Sequence, residues 1–278
     1  MSKNHLVTKA SGDQEPFSEQ KLKSSLRKAG ASEASISYIV NDIKDWLYDG
    51  VSTHKIYARA FKLLRQKRGS LAARYKLKKA IMELGPTGFP FEHFVGELMQ
   101  AEGYEIETGQ LLQGMCVQHE VDVVATKQNL QCLMECKYHN SPDKISNVQV
   151  PLYIRSRMND IIEKRKQQPD FSHFEFQGWV VTNTRFSEDA IAYGTCSGLK
   201  MLSWDFPKKN GLKEQIENHH LFPLTSLTHL SRQQKQTLME AGIVLCRQIP
   251  QNRHEIDKLA LSKTKYKRLM EEVEGLTY

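Results

Sequence analysis

Hydrophobic spacing divides the chain into three regimes. Between residues 18 and 84 apolar positions recur three or four apart, as in Leu22, Leu26 and Ala29, and again in Ile36, Ile39, Val40, Ile43 and Leu47. That period predicts short amphipathic helices. Ser18 is placed to cap the first, and Gly30 and Gly50 stop the first two. "STHKIYARAFKLLRQKRG", capped by Ser52 or Thr53, and "SLAARYKLKKAIMELG" add a third and a fourth helix. Ahead of them "HLVTKASGDQEPF" reads as a strand, a turn about Gly12 and a β-edge position at Pro16. Residues 85–90, "GPTGFP", form a linker or tight entry.

After the linker the period changes. "FEHFVGELMQAEG" is a helix with Phe91, Phe94, Val95 and Leu98 on one stripe, followed by the strand "YEIET". Residues 147–165 return to helix, "FQGWVVTN" suits a buried strand, "SEDAIAYGTCSG" a capped helix and "LKMLSW" another strand. Strands alternating with helices predict an α/β domain with a mixed sheet flanked by helices. From about residue 212 the pattern is all-helical. The expected division is 1–86, mostly helical; 87–211, α/β; and 212–278, a small helical region.

One stretch breaks the apolar pattern. "VDVVATKQNLQCLMECKYH", residues 121–139, places Asp122, Glu135 and Lys137 in two strand-like runs. With a two-residue turn at Gln128-Asn129, Val123 falls opposite Met134, Val124 opposite Leu133 and Asp122 opposite Glu135. Asn129 is expected to supply the positive φ such a turn needs. Directly opposed Cβ atoms lie about 4.5–5.5 Å apart. Lys137, two residues beyond Glu135, shares its face. Val121, Val123, Ala125, Cys132, Met134 and Cys136 are expected on the other. Two close carboxylates in an apolar setting repel, and one would take up a proton unless a hard cation coordinates both. Magnesium or manganese held by Asp122, Glu135 and the Cys136 carbonyl, beside the Lys137 ammonium, is the equipment for phosphodiester hydrolysis. A plain buried ion pair between Lys137 and one carboxylate is the competing reading, although such pairs add little net stability.

Composition narrows the setting. Of 278 residues, 40% are hydrophobic and 26% charged, which suits a globular chain. No apolar run approaches the roughly 18 residues of a membrane span, and "MSKNHLVTKASGDQEPF" lacks a signal-peptide core. A soluble, cytoplasmic protein is expected. Five cysteines without a C-x-x-C pair predict reduced, mostly buried thiols. The net charge of +7 is uneven: +9 over residues 1–90, −4 over 91–210 and +2 over 211–278. The basic N-terminal segment favours phosphate-bearing partners. No Walker-type Gly-x-x-x-x-Gly-Lys-Ser/Thr occurs, which argues against an ATP-driven motor.

Two family resemblances sharpen this reading. Asp122 followed by Glu135-Cys136-Lys137 resembles the D…E-x-K centre of the PD-(D/E)xK nucleases, and most closely the Mrr-type restriction endonuclease domain. "FEHFVGELMQAEGYEIE" is similar to the family's helix before the aspartate strand, with Glu92 the matching acid. "WVVTNTRFSEDAIAYGTCSGLKMLSWD" is similar to its later strand–helix–strand. The resemblance spans roughly residues 88–206 and implies a metal-dependent DNA endonuclease with Glu92, Asp122, Glu135 and Lys137 as catalytic residues. Gln149 is the counterpart of a phosphate-facing glutamine, despite the nearby Pro151. Many Mrr-type members carry Gln where Glu135 stands here.

"VTKASGDQEPFSEQKL" resembles the opening of the ATP-cone domain, with Val7, Lys9, Gly12, Glu15, Phe17 and Lys21 matching in order. "VSTHKIYARAFKLL" and "AARYKLKKAI" are similar to its third and fourth helices. The resemblance implies ATP or dATP bound as an allosteric ligand, near Val7, Lys9, Lys21, Thr53, His54 and Lys79. One departure is Ala10, where the family has a second basic residue. Near the C-terminus, "LMEAGI" and "LALSKTKYKRLMEEV" look like helix-hairpin-helix elements, which would set Ser262, Lys263 and Lys265 against DNA phosphates. Ala260-Leu261 replaces the expected hairpin glycine. The whole reads as a nucleotide-responsive DNA endonuclease of restriction or phage-defence type, expected to form a homo-oligomer. The alternatives are a non-catalytic nucleotide-sensing DNA-binding regulator and a structure-specific repair nuclease.

Overall fold

The protein is described by a computed structural model covering residues 5–9, 11–67 and 69–277. Ala10 lies outside the described residues.

The N-terminal segment begins with an antiparallel hairpin of β1 (Leu6–Thr8) and β2 (Gln14–Pro16). Gly12 in its turn has φ +90°, which costs a residue without Cβ nothing. α1 (Glu19–Lys28) follows, with the Ser18 hydroxyl accepting the Lys21 amide as expected. α2 (Glu33–Trp46) is capped in the same way by Ser32. β3 (Val51–Ser52) pairs parallel with β1, giving the sheet order β2-β1-β3. Two residues carry no periodicity, so β3 is invisible in the sequence pattern. α3 (Thr53–Lys67) starts under the Ser52 hydroxyl, which accepts the Lys55 amide. The fourth predicted helix is two: α4 (Gly69–Tyr75) and α5 (Leu77–Ile81), broken at Lys76. Leu26, Ile36, Ile39, Ile43 and Leu64 are fully buried between these helices.

The α/β segment opens with α6 (Phe89–Ala101). Then come β4 (Glu105–Gln113), β5 (Gln118–Lys127), β6 (Leu130–Lys137) and the short β7 (Ile145–Ser146). α7 (Gln149–Lys166) leads to β8 (Glu175–Thr182), β9 (Arg185–Phe186), α8 (Glu188–Cys196) and β10 (Lys200–Leu202). The five-stranded sheet has the order β10-β8-β6-β5-β4. β4, β5 and β6 run antiparallel, whereas β6, β8 and β10 run parallel. The expected mixed sheet flanked by helices is present. Pro151 does not disturb α7: it is buried in the first turn, where no intrahelical partner for its nitrogen is needed.

Each sheet face has its own core. Val124, Leu133 and Val180 pack with Ile154 and Met158 of α7 and Ala190 of α8. On the other face Val123, Met134 and Val181 pack with Phe91, Phe94 and Leu98 of α6. The same apolar cluster continues into the C-terminal helices α9 (Leu212–Asn218), α10 (Arg232–Glu240), α11 (Arg253–Asp257) and α12 (Lys263–Thr277). It also takes in Ala73, Leu77 and Ile81 of α4 and α5. Truncation at residue 212 would therefore open this core rather than remove an appendage. Ala260, with φ +47°, takes the left-handed conformation at the turn where a hairpin glycine was expected.

A buried carboxylate anchors the C-terminal segment. Glu272 of α12 is 2% exposed and accepts the Thr228 amide at 2.9 Å and the His229 amide at 3.2 Å. Glu272→Ala strands both amides, and the expected loss is about 2–4 kcal/mol of unfolding free energy, read from denaturant midpoints.

Candidate active site

The β5–β6 hairpin adopts the register read from the sequence: Val123 opposes Met134, Val124 opposes Leu133 and Lys127 opposes Leu130. The positive φ in its turn falls on Gln128 (+54°) rather than on Asn129. The ladder ends at Val123–Met134, one pair short of Asp122–Glu135. On the outer side β4 pairs Thr108 with Val123 and Gln110 with Val121, skipping Gly109 and Asp122. Gly109 has φ +61°, so the break coincides with a residue that tolerates it. The interruption reverses the inside–outside order. Val121 packs with the α7–α8 core, opposite to Val123, which corrects the expectation that the two share a face.

Asp122 uses this break. Its Oδ2 accepts the Cys136 amide at 2.6 Å, so the side chain replaces the missing strand partner. Glu135, 5% exposed, has both oxygens engaged. Its Oε1 meets Lys137 Nζ at 2.6 Å and its Oε2 meets Arg157 Nη1 at 2.6 Å. The Lys137–Glu135 pair confirms that the two share a face. Arg157 was not foreseen. It comes from α7, also donates to the Glu120 carbonyl, and lies over the Tyr153 ring, 5.4 Å from its centroid. A fork of donors on a planar guanidinium suits this double duty.

The acids feel one another. Burial, followed by the Glu135 charge, pushes the Asp122 carboxyl up to about 6. Burial, then Asp122, Glu120 and Glu135, pushes Glu92 of α6 up to about 7. The Cys136 thiol is raised well above its ordinary value by burial, which leaves its backbone carbonyl as the available donor. Among the described residues, no set of three or more His, Cys, Asp or Glu side chains converges as a metal cage. Two carboxylates and a carbonyl, with water completing the shell, are nevertheless the donor pattern magnesium accepts. Burial is the first cause of both elevations, with the Glu135 charge adding to each.

The backbone leaving the site is clamped. Thr182 donates to the Lys137 carbonyl at 2.7 Å. Asn183, fully buried, accepts the His139 amide and donates to the His139 carbonyl, both at 2.8 Å. Gln149 is exposed at the start of α7, two turns before Arg157. No hydrogen bond joins its side chain to the three acids.

The other predicted residues disperse. Val7, Lys21 and Thr53 line a cavity of 190 Å³ with Glu15, Tyr57 and Tyr75. Lys9 and Lys21 both pair with Glu15, at 2.8 and 3.2 Å. His54 is exposed and absent from the wall, and Lys79 lines a different cleft, so neither joins Val7 and Thr53. Tyr57 and Tyr75, which the sequence reading missed, stack there with centroids 4.9 Å apart. At the C-terminus Ser262 caps α12 by accepting the Lys265 amide, and Lys265 Nζ bonds Gln234 at 3.1 Å. Ser262 and Lys263 remain exposed.

Comparison with known proteins finds matches over the central and C-terminal segments. Residues 86–205 match the family described as Restriction endonuclease, and residues 222–277 that described as AF1548-like, C-terminal. An uncharacterized protein of Archaeoglobus fulgidus is 33% identical over 155 residues, covering 56% of this chain and 83% of the relative. The chain belongs to the AF1548-like family. The crystal structure of AF1548, a protein of unknown function, is similar over 68% of this chain and 96% of its own, with 30% identity and a TM-score of 0.54. The MspJI restriction endonuclease in complex with a 27-mer oligonucleotide is similar over 48% of this AF1548-like chain and 29% of its own, at 13% identity and a TM-score of 0.32. Both family matches begin beyond the N-terminal helices.

The raised Asp122 carboxyl has a signed consequence. Between the ordinary value near 3.8 and about 6 the folded chain holds a proton that the unfolded chain has released, so stability falls as pH rises through this window. Asp122→Asn is expected to raise unfolding free energy at pH 7.5 by about 1–3 kcal/mol without added metal, a gain that fades below pH 4 in pH-resolved thermal melts.

Proposed function

We propose that this chain is a metal-dependent DNA endonuclease. The observation that carries the reading is the parted end of the β5–β6 ladder, where Asp122 and the ion-paired Glu135 and Lys137 meet Glu92 within a segment matching a restriction endonuclease family. Asp122, Glu135 and the Cys136 carbonyl would hold Mg²⁺ or Mn²⁺. Such an ion, when bound, supplies Lewis acidity to the phosphate and makes a nearby water more acidic. Lys137, whose side chain is 34% exposed, is free to turn from Glu135 toward a phosphate oxygen. Arg157 keeps Glu135 oriented when Lys137 leaves. Glu92, raised to about 7, can exchange a proton at neutral pH. Gln149 and the exposed Ser262 and Lys263 would meet phosphates of the duplex, with Lys265 beside them.

The N-terminal segment is read as a site for ATP or dATP. Its support is the cavity bounded by Val7, Thr53, Tyr57 and Tyr75, of a size that suits a base, with Lys21 in its wall and Lys9 paired to the lining Glu15. A triphosphate would displace Glu15 from both ammonium groups. On this reading residues 1–86 sense nucleotide, 87–211 cut and 212–278 help to hold DNA, with assembly into a homo-oligomer as the regulated step.

Plasmid cleavage with magnesium tests the first claim. Asp122→Ala and Lys137→Ala, each shown to be folded, are expected to lose about 10²-fold or more in rate, the scale of removing a charge that stabilises the transition state. Wild-type rates in both variants would refute it. Isothermal titration of the full chain with ATP and dATP tests the second. Binding heat that falls at least about tenfold in affinity for Lys21→Ala is expected, since a charge-assisted phosphate contact is lost. Absence of heat with either nucleotide refutes it.

A further inference from the structure

A second cationic site lies away from the acids. α5, the loop after β6 and α10 line a cleft of 710 Å³ whose wall includes Tyr138 and Asn140. Lys76, Lys79, Arg232 and Lys235 line it, against a single carboxylate, Glu83. A smaller recess of 260 Å³ shares Lys76, Lys79 and Lys235 and adds Arg65 with the ring of Phe61. The charge is therefore concentrated in a concave wall and not spread on a solvated helix face.

Its centre is unusual. Lys235 is 7% exposed, and its Nζ donates to the Thr225 carbonyl at 2.8 Å. Lys76 Nζ donates to the same oxygen at 3.2 Å and to Glu83 at 2.7 Å. Two ammonium groups thus converge on one carbonyl. Burial, and next the Lys76 charge, lowers the Lys235 ammonium to about 8. Burying a lysine beside another cation costs stability unless an anion offsets it. Thr228 Oγ1, in the recess wall, is buried without a hydrogen-bond partner. These features together describe a preformed receptor for phosphate oxygens.

We propose that this cleft binds the phosphodiester backbone of the DNA strand that continues from the candidate cleavage site. The identity of the polyanion rests on the nuclease reading, and its path follows from Tyr138 and Asn140, which continue the chain from the strand bearing Glu135 and Lys137 into the cleft wall. A strand leaving Lys137 along the end of β6 meets this cleft next. Phosphate contacts of this kind fix register without reading sequence.

Fluorescence anisotropy of the full chain with a labelled duplex, in EDTA and across a potassium chloride series, tests the proposal. The double variant Lys76→Gln, Arg232→Gln is expected to bind about tenfold more weakly, with a salt slope shallower by about one to two. Lys235→Met removes the buried charge and is expected to lower affinity without lowering the melting temperature. Lys28→Gln, on α1, serves as the comparison surface substitution. An unchanged slope in the double variant and in a folded Lys235→Met overturns the proposal. Calorimetry distinguishes the source of the phosphate: if the double variant loses ATP binding while its DNA slope stays at the wild-type value, the cleft serves free nucleotide and the DNA assignment falls. Because no cleavage occurs in EDTA, failure of the nuclease reading shows separately. A wild-type chain that does not cut DNA, but whose salt slope depends on Lys76 and Arg232, refutes the nuclease and leaves the cleft standing.

Discussion

The site depends on one local constraint: β5 and β6 must separate at Asp122 while staying paired at Val123. Were the ladder to continue, the Cys136 amide would be spent on backbone. Because it stops, the amide fixes the Asp122 carboxylate, and the strand ends can diverge. Gly109 makes the separation cheap on the β4 side, and Arg157 from α7 braces Glu135 on the face that α7 covers. Three elements distant in sequence are thereby set to a common tolerance.

That constraint explains why a fold of ordinary composition carries such concentrated charge at one edge. Lys137 and Arg157 pair with Glu135, while burial and then neighbouring negative charge raise the proton affinity of Asp122 and Glu92. A purely structural ion pair would need only Glu135 and Lys137. Asp122 at the break and Glu92 from α6 add two further acids to that pair.

The sequence conveyed the parts of this arrangement that follow from local periodicity. Alternation over residues 121–137, with a two-residue turn, was enough for the register, and helical spacing was enough for α1, α2, α6 and α7. What it did not convey involves partners far along the chain. Arg157 sits 22 residues after Glu135 on a helix whose other face is also charged, so nothing singles it out. The reversal at Val121 depends on Gly109 in a different strand. The break at Lys76 has neither glycine nor proline to announce it. Lys79 and His54, assigned by resemblance to the nucleotide site, were placed from motif order alone, and the packing of α5 and the exposure of the α3 start put them elsewhere. The C-terminal helices were legible as helices, but their burial against Phe94 and Met134 was not, because an apolar stripe does not name what covers it.

α5 has a mechanical role that its five residues do not suggest. The Tyr138 hydroxyl donates to the Met82 carbonyl at 2.7 Å just past its end, and Thr225 donates to the Ala80 carbonyl at 2.6 Å. Tyr138 adjoins Lys137. The N-terminal bundle is therefore geared to the strand bearing Glu135 and Lys137 rather than tethered beside it, because a displacement of α5 is passed through the Tyr138 hydroxyl to the residue next to the lysine.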